Sequence, residues 1–92
     1  MAIWFNVREA REFLLRNGFV YTLRPKRRRE GRDMLCYGGF GKKGMVSITF
    51  VKEISNDREL EEYVRWSGFQ SVEEWRAKAG DSRFLYRVDL IQ

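Results

Sequence analysis

The sequence predicts a single α+β domain in which an N-terminal helix and a later helix pair flank an antiparallel sheet. Apolar residues recur at helical spacing near the start of the chain, and apolar and polar residues alternate over residues 45–54 and 83–91. At three places asparagine or serine stands three positions before glutamate, the spacing of a helix capping box. The chain has 92 residues, of which 43% are apolar, so we assign residues 1–92 to one domain with one core.

The first helix is predicted over residues 7–17. Asn6 and Glu9 have the capping-box spacing, and Gly18 is placed to end the helix. Four apolar side chains fall on one face at helical spacing, namely Val7, Ala10, Phe13 and Leu14.

Four strands are predicted from apolar and β-branched runs between turn residues. They cover residues 19–24, 34–37, 45–54 and 83–91. Pro25, which has no N–H to donate to a ladder, ends the first of them. The second and third flank a glycine-rich turn at 38–44 and are predicted to form an antiparallel hairpin. The last strand is expected to carry its apolar residues on one face, namely Phe84, Tyr86, Val88 and Leu90.

A helix pair is predicted between the third and fourth strands. Its first helix begins at the capping box of residues 56–59 and ends near Gly68. Its second begins at the capping box of residues 71–74 and runs to about Ala79, before Gly80.

Several aromatic side chains allow two interpretations. Trp66 and Trp75 fall in the helix pair, where a tryptophan is more often part of the core than a ligand-stacking residue. Tyr21, Tyr37 and Phe40 border a basic segment, and an aromatic ring beside arginines can stack on an unpaired base or sit half-buried on a strand.

The composition excludes several kinds of site. There is no histidine and one cysteine, Cys36, so an internal disulfide, a clustered-thiolate metal site and Ser-His or Cys-His catalysis are ruled out. Residues 39–44 match G-x-G-x-x-G, but a strand rather than a helix is predicted to follow, which favours a hairpin loop over a dinucleotide site. We therefore expect no cofactor and no metal.

The chain is expected to be cytoplasmic and not to bind membranes. No apolar run approaches the roughly 20 residues that span a bilayer, and the N-terminus lacks the pattern of a signal peptide. The scarcity of Asn, Gln and Cys beside many Arg and Glu residues favours a thermophilic source.

The positive charge is concentrated in one segment. Residues 24–43 contain eight basic and two acidic side chains, a local charge of +6 against +5 for the whole chain. Such a segment favours a polyanion, because each phosphate contact releases condensed counterions. A solvated loop, or a loop that meets an acidic protein or membrane surface, is the alternative.

Two segments resemble a known family. Residues 18–24, Gly-Phe-Val-Tyr-Thr-Leu-Arg, follow a helix and resemble the Gly-(basic)-Thr-x-Arg segment of the ASCH domain family, a branch of the PUA-like superfamily. Residues 63–75 resemble the helix pair that these domains place before their last strand. The resemblance implies a small antiparallel β-barrel flanked by helices, a cleft beside Thr22 and Arg24, and binding of RNA or modified nucleosides.

Some members of that family are amidohydrolases that act on acetylated cytidine with a lysine, a threonine and a glutamate. Here Phe19 or Val20 stands at the expected lysine, and Ser67 stands near the expected glutamate. Without an amine or carboxylate there, proton transfer has no evident agent. An enzyme remains an alternative only if Thr22 acts with another carboxylate, such as Glu53 or Glu73.

From these observations we expect an RNA-binding domain with no catalytic residue. Thr22 and Arg24 would line the floor of the cleft. Seven further basic side chains would hold phosphates, namely Lys26, Arg27, Arg28, Arg29, Arg32, Lys42 and Lys43. The alternatives are an amidohydrolase for acetylated cytidine and a protein-interaction module for an acidic partner.

Overall fold

The computed structural model describes residues 2–5, 7–36 and 42–91. The strands are β1 (Ala2–Trp4), β2 (Phe19–Arg24), β3 (Gly31–Cys36), β4 (Lys42–Glu53) and β5 (Phe84–Ile91). The α-helices are α1 (Arg8–Asn17) and α2 (Val72–Ala79), and two 3-10 helices, Asp57–Glu62 and Val64–Trp66, precede α2.

The five strands form one sheet with the order β1-β3-β4-β5-β2. β1 is parallel to β3, whereas the other neighbouring pairs are antiparallel. The α+β class and the hairpin of β3 and β4 are therefore confirmed. β1 and β2 lie at opposite edges, so strand pairing does not close the predicted barrel within the described part of the chain.

The strand bounds differ from prediction in three places. β1 was not predicted, because three residues carry no periodic signal. β3 begins at Gly31 rather than Met34, since Arg32 and Asp33 continue the ladder opposite β4. β4 begins at Lys42, within the predicted turn. The rest of that turn and Tyr37 lie outside the described residues.

Helix α1 begins one residue later than predicted and packs on the sheet. Val7 is its N-cap and makes no side-chain capping bond, while Asn6 lies outside the described residues. Ala10 and Leu14 are buried in one core cluster with side chains of all five strands. Gly18 ends the helix in the left-handed conformation, with φ of 86°, as its position in the sequence predicted.

The first helix of the predicted pair is wrong in type. The predicted capping box is present and uses Asn56 and Glu59, but the segment folds as 3-10 helices over 57–62 and 64–66. The first of these runs has six residues, which is longer than the three or four usual for that geometry. The second helix of the pair, α2, has the predicted bounds.

A second core cluster joins this helical segment to the ends of β2 and β5. It comprises Leu23, Ile54, Leu60, Phe69, Trp75 and Leu85. Because the helical segment covers the second face of β5 here, Leu85 is buried as fully as Tyr86, and the prediction of a single apolar face on this strand is wrong. Trp75 is 2% exposed, which confirms its assignment to the core.

Gly68 holds the helical segment against α1. Its φ is +90°, and a side-chain Cβ at this position would overlap the Glu9 carbonyl of α1. Only glycine allows this close approach without a backbone shift.

Candidate functional site

A cavity of about 90 Å³ is bounded by β2, the segment that leads into α1, and α2. We call it the cavity. Its walls are mainly core side chains, and three polar side chains reach it. The lining residues are Phe5, Val7, Ala10, Thr22, Leu23, Arg24, Phe69, Trp75, Lys78 and Ala79.

Thr22 and Arg24 come from β2, the edge strand next to β5. Thr22 is 8% exposed and is part of the cavity wall. The Arg24 guanidinium carbon lies 4.9 Å from the centre of the Phe5 ring, within the range of a cation–π contact. Burial, together with the nearby charge of Arg28, lowers the pKa of Arg24 to about 10. Arg24 therefore stays charged at neutral pH but is costly to keep charged.

Lys78 is the lining residue that the sequence interpretation missed. It lies in the last turn of α2, three positions after the buried Trp75. Residues three apart on a helix lie on the same side, so the helical period from Trp75 predicts that Lys78 borders whatever Trp75 packs against. The cavity is thus lined by a lysine of α2 and an arginine of β2.

The basic loop, residues 25–30, follows directly from Arg24 and is attached to the sheet. The Arg28 N–H donates to the Tyr86 hydroxyl at 2.7 Å, and that hydroxyl is 3.2 Å from the Arg28 carbonyl, to which it donates. The Glu30 carboxylate accepts from the Phe50 N–H at 2.9 Å. β5 therefore holds the loop backbone at Arg28, and β4 holds the Glu30 side chain.

The basic side chains of the loop divide into two groups. Arg28 donates to the Asp33 carboxylate at 2.7 Å, with the two side chains 20% and 11% exposed. Arg27 lies over the Phe50 ring, 3.9 Å from its centre. Lys26 and Arg29 are exposed. Arg27 is itself exposed, so one of the loop's four cations is held in a half-buried ion pair and three are accessible to solvent, one of them against Phe50.

The structure brings only part of the predicted site together. Thr22, Arg24 and the basic loop are contiguous. Arg32 is exposed on β3, in register with Ser47 of β4. The side chains of Lys42 and Lys43 lie outside the described ones.

Apart from Thr22, the residues considered for hydrolysis are not at the cavity. Val20 is buried in the core, and Phe19 packs edge-on against Phe13. Ser67 is also buried, with its hydroxyl donating to the Val64 carbonyl at 2.7 Å. Glu53 and Glu73 are exposed and do not line the cavity.

Two of the aromatic side chains in question pack against each other. The Tyr21 ring centre is 5.1 Å from that of Tyr63 and 5.7 Å from that of Trp66, and all three are half-buried. The three rings form one aromatic cluster beside β2. Phe40 lies outside the described residues.

No helix in the described ranges is long and apolar enough to cross a membrane. Within the same ranges, no cluster of three or more His, Cys, Asp or Glu residues could hold a metal ion.

Fold and cavity together define a small α+β domain with an open, mainly antiparallel sheet and one small cationic cavity at its edge. No protein-family model matches the chain, and no curated protein or solved structure matches it.

Proposed function

We propose that this chain is an RNA-binding domain of the PUA-like kind, which holds RNA across the cavity and the basic loop. The observation that carries the proposal is their continuity. Arg24 ends β2 at the cavity, and the loop that follows it is attached to the sheet through Tyr86 and Glu30. An RNA strand that places one nucleotide at the cavity would bring its following phosphates past the basic loop.

The charges of the loop support a polyanionic partner. Lys26, Arg27 and Arg29 are close together on this loop and exposed. Holding like charges on a fixed backbone is unfavourable until an anion neutralises them. Phosphates would do so and would release counterions. RNA also suits a cytoplasmic location, which we include in the proposal.

A rolled sheet is part of the proposal. In a flat sheet of five strands the two edges are about 19 Å apart, because neighbouring strands lie about 4.8 Å apart. Phe5, which continues β1 by donating its N–H to the Cys36 carbonyl, contacts Arg24 at the end of the opposite edge strand. The contact supports a sheet that curls towards the barrel implied by the ASCH resemblance.

Hydrolysis of acetylated cytidine has less support. Thr22 and Lys78 supply a hydroxyl and an amine to the cavity, but the described lining contains no carboxylate for proton transfer. We expect no turnover of acetylated cytidine above background. Activity that Thr22→Ala abolishes would favour the enzyme instead.

The test of RNA binding is its dependence on salt. Four to six phosphate contacts predict a slope of roughly −3 to −5 in log affinity against log salt concentration, for single-stranded and structured RNA. The double variant Lys26→Gln, Arg29→Gln should reduce the magnitude of the slope on single strands by about 1.4. An RNA affinity that does not change with salt concentration would contradict the proposal. Displacement of bound RNA by an acidic protein of equal net charge would also contradict it.

A further inference from the structure

The polar groups of the cavity have one sign of charge. Its polar lining residues are Thr22 and Arg24 of β2 and Lys78 of α2, and its other lining residues are apolar. Among the described residues no acidic side chain lines it. Two cations and a hydroxyl donor match a ligand group that is anionic and accepts hydrogen bonds.

The aromatic walls do not offer a stacking surface. Phe5, Phe69 and Trp75 are 2%, 8% and 2% exposed, so core contacts occupy most of their ring surface. Recognition of an unpaired base normally uses an accessible ring face, together with hydrogen bonds to the base edge. The cavity therefore fits a compact polar group better than a stacked base.

The volume of the cavity further limits which chemical groups can enter it. A cavity of about 90 Å³ is well below the roughly 300–1,000 Å³ of pockets that enclose a whole small-molecule ligand, so it has room for a compact group rather than for a nucleoside. A terminal phosphate joins the chain on one side only and carries a charge of about −1.5 to −2, whereas an internal phosphodiester carries one charge and has chain on both sides.

We propose that the cavity holds the terminal phosphate of an RNA strand, with Arg24 and Lys78 as its charged ligands and Thr22 as a hydroxyl donor. The inference rests on the proposed RNA binding and assigns the ligand of its cavity. A dianion here also offsets the cost of keeping Arg24 charged next to Arg28. The nucleotides after the terminal phosphate then pass the exposed cations of the basic loop.

The experiment compares one single-stranded RNA sequence in three forms: 5′-phosphate, 3′-phosphate, and hydroxyl at both ends. Binding is measured by fluorescence anisotropy at fixed salt. One of the two phosphorylated forms should bind at least about tenfold more tightly than the hydroxyl form, as expected for one added charge-assisted contact. The form that binds more tightly identifies which end enters the cavity.

Two charge-matched variants separate the cavity from the loop. Lys78→Gln should reduce the phosphate preference about tenfold, whereas Lys26→Gln should weaken all three forms in equal proportion and keep the preference. Both side chains are exposed, so neither change should alter the melting temperature.

The outcomes distinguish this inference from the proposed function. Equal, salt-dependent binding of all three forms overturns the terminal-phosphate site and keeps RNA binding. If Lys78→Gln still prefers a phosphorylated RNA end, the terminal phosphate binds elsewhere on the protein, and the terminal-phosphate site in the cavity is also overturned. If no RNA binds, but inorganic phosphate raises the melting temperature of the original protein and not that of Lys78→Gln, the anion site is kept and RNA binding is overturned.

Discussion

The cavity and the basic loop meet at Arg24, yet they draw on different parts of the chain. The cavity takes its walls from the segment before α1, from β2 and from α2, which are far apart in sequence. The loop is six consecutive residues, but its position depends on Tyr86 and Phe50 of two distant strands. The loop can therefore be found from composition, whereas its fixed shape and the cavity are products of tertiary packing.

This difference separates two contributions to the RNA binding proposed above. Exposed loop cations such as Arg29 would act through charge, so one could replace another. Arg24, which is held against Phe5 at the cavity, would act through position. The predictions below test this division from the largest expected effect to the smallest.

Gly68→Ala should cause the largest loss, because the cavity wall depends on the close approach of Gly68 to α1. An added Cβ meets the Glu9 carbonyl at a φ of +90°. We expect the free energy of unfolding to fall by about 2–4 kcal/mol in urea denaturation.

The matched control for that change is Gly18→Ala. Gly18 has a similar φ, +86°, but no atom lies within 4 Å of its added Cβ. Its cost should be about 1–2 kcal/mol, from conformation alone. Equal losses for the two variants would mean that Gly68 does not set the distance between the helical segment and α1.

Arg28→Ala should destabilise the protein by about 1–3 kcal/mol, since it removes the guanidinium that faces the largely buried Asp33 carboxylate. Arg29→Ala, at the next position, should change stability by less than about 0.5 kcal/mol because its side chain is exposed. Chemical denaturation of both variants measures the difference. If the two losses were equal, the loop would have no division into anchored and exposed arginines.

This prediction revises what the sequence indicated. In the sequence Arg27, Arg28 and Arg29 form one uniform run, and nothing in composition singles out the middle residue. Its partners lie on β5 and at a β3 position that the sequence assigned to the loop. Non-local pairing of this kind leaves no periodic signal in one sequence, whereas the local patterns of α1, α2 and the β3–β4 hairpin were read correctly.

The cavity could likewise be predicted only in part from the sequence. β2 was predicted from its sequence pattern, and the resemblance of residues 18–24 to the Thr-x-Arg segment of the ASCH family singled out Thr22 and Arg24. Lys78 was missed because a charged residue near a helix end is ordinarily assigned to solvent. Phe5 was missed because β1 is too short for strand alternation to be recognised. Helical spacing from Trp75 was the one available signal for Lys78.

Tyr86→Phe should loosen the basic loop while keeping every charge. The variant loses both hydrogen bonds between the Tyr86 hydroxyl and the Arg28 backbone, at a cost of about 1–2 kcal/mol. Trypsin should then cleave at residues 26–29 faster than in the original protein. Tyr21→Phe is the control, because its hydroxyl has only a 3.5 Å contact from Arg87. Unchanged cleavage after Tyr86→Phe would show that the loop is held by other contacts.

The smallest effect should come from acid and should act on the helical segment that supports the cavity. Hydrogen bonds from Lys52 and Ser55 lower the pKa of Glu59 from 4.5 to about 2. Because the folded pKa lies below the unfolded one, this carboxylate contributes stability above about pH 4.5, and the contribution is lost as pH falls towards 2. Glu59→Gln should therefore lower the melting temperature at pH 7 and flatten its decline over that window, whereas Glu61→Gln, exposed on the same 3-10 helix, should leave the profile unchanged. Identical profiles of melting temperature against pH for the two variants would show that Glu59 does not contribute to the acid response. The capping box would then make no pH-dependent contribution to stability.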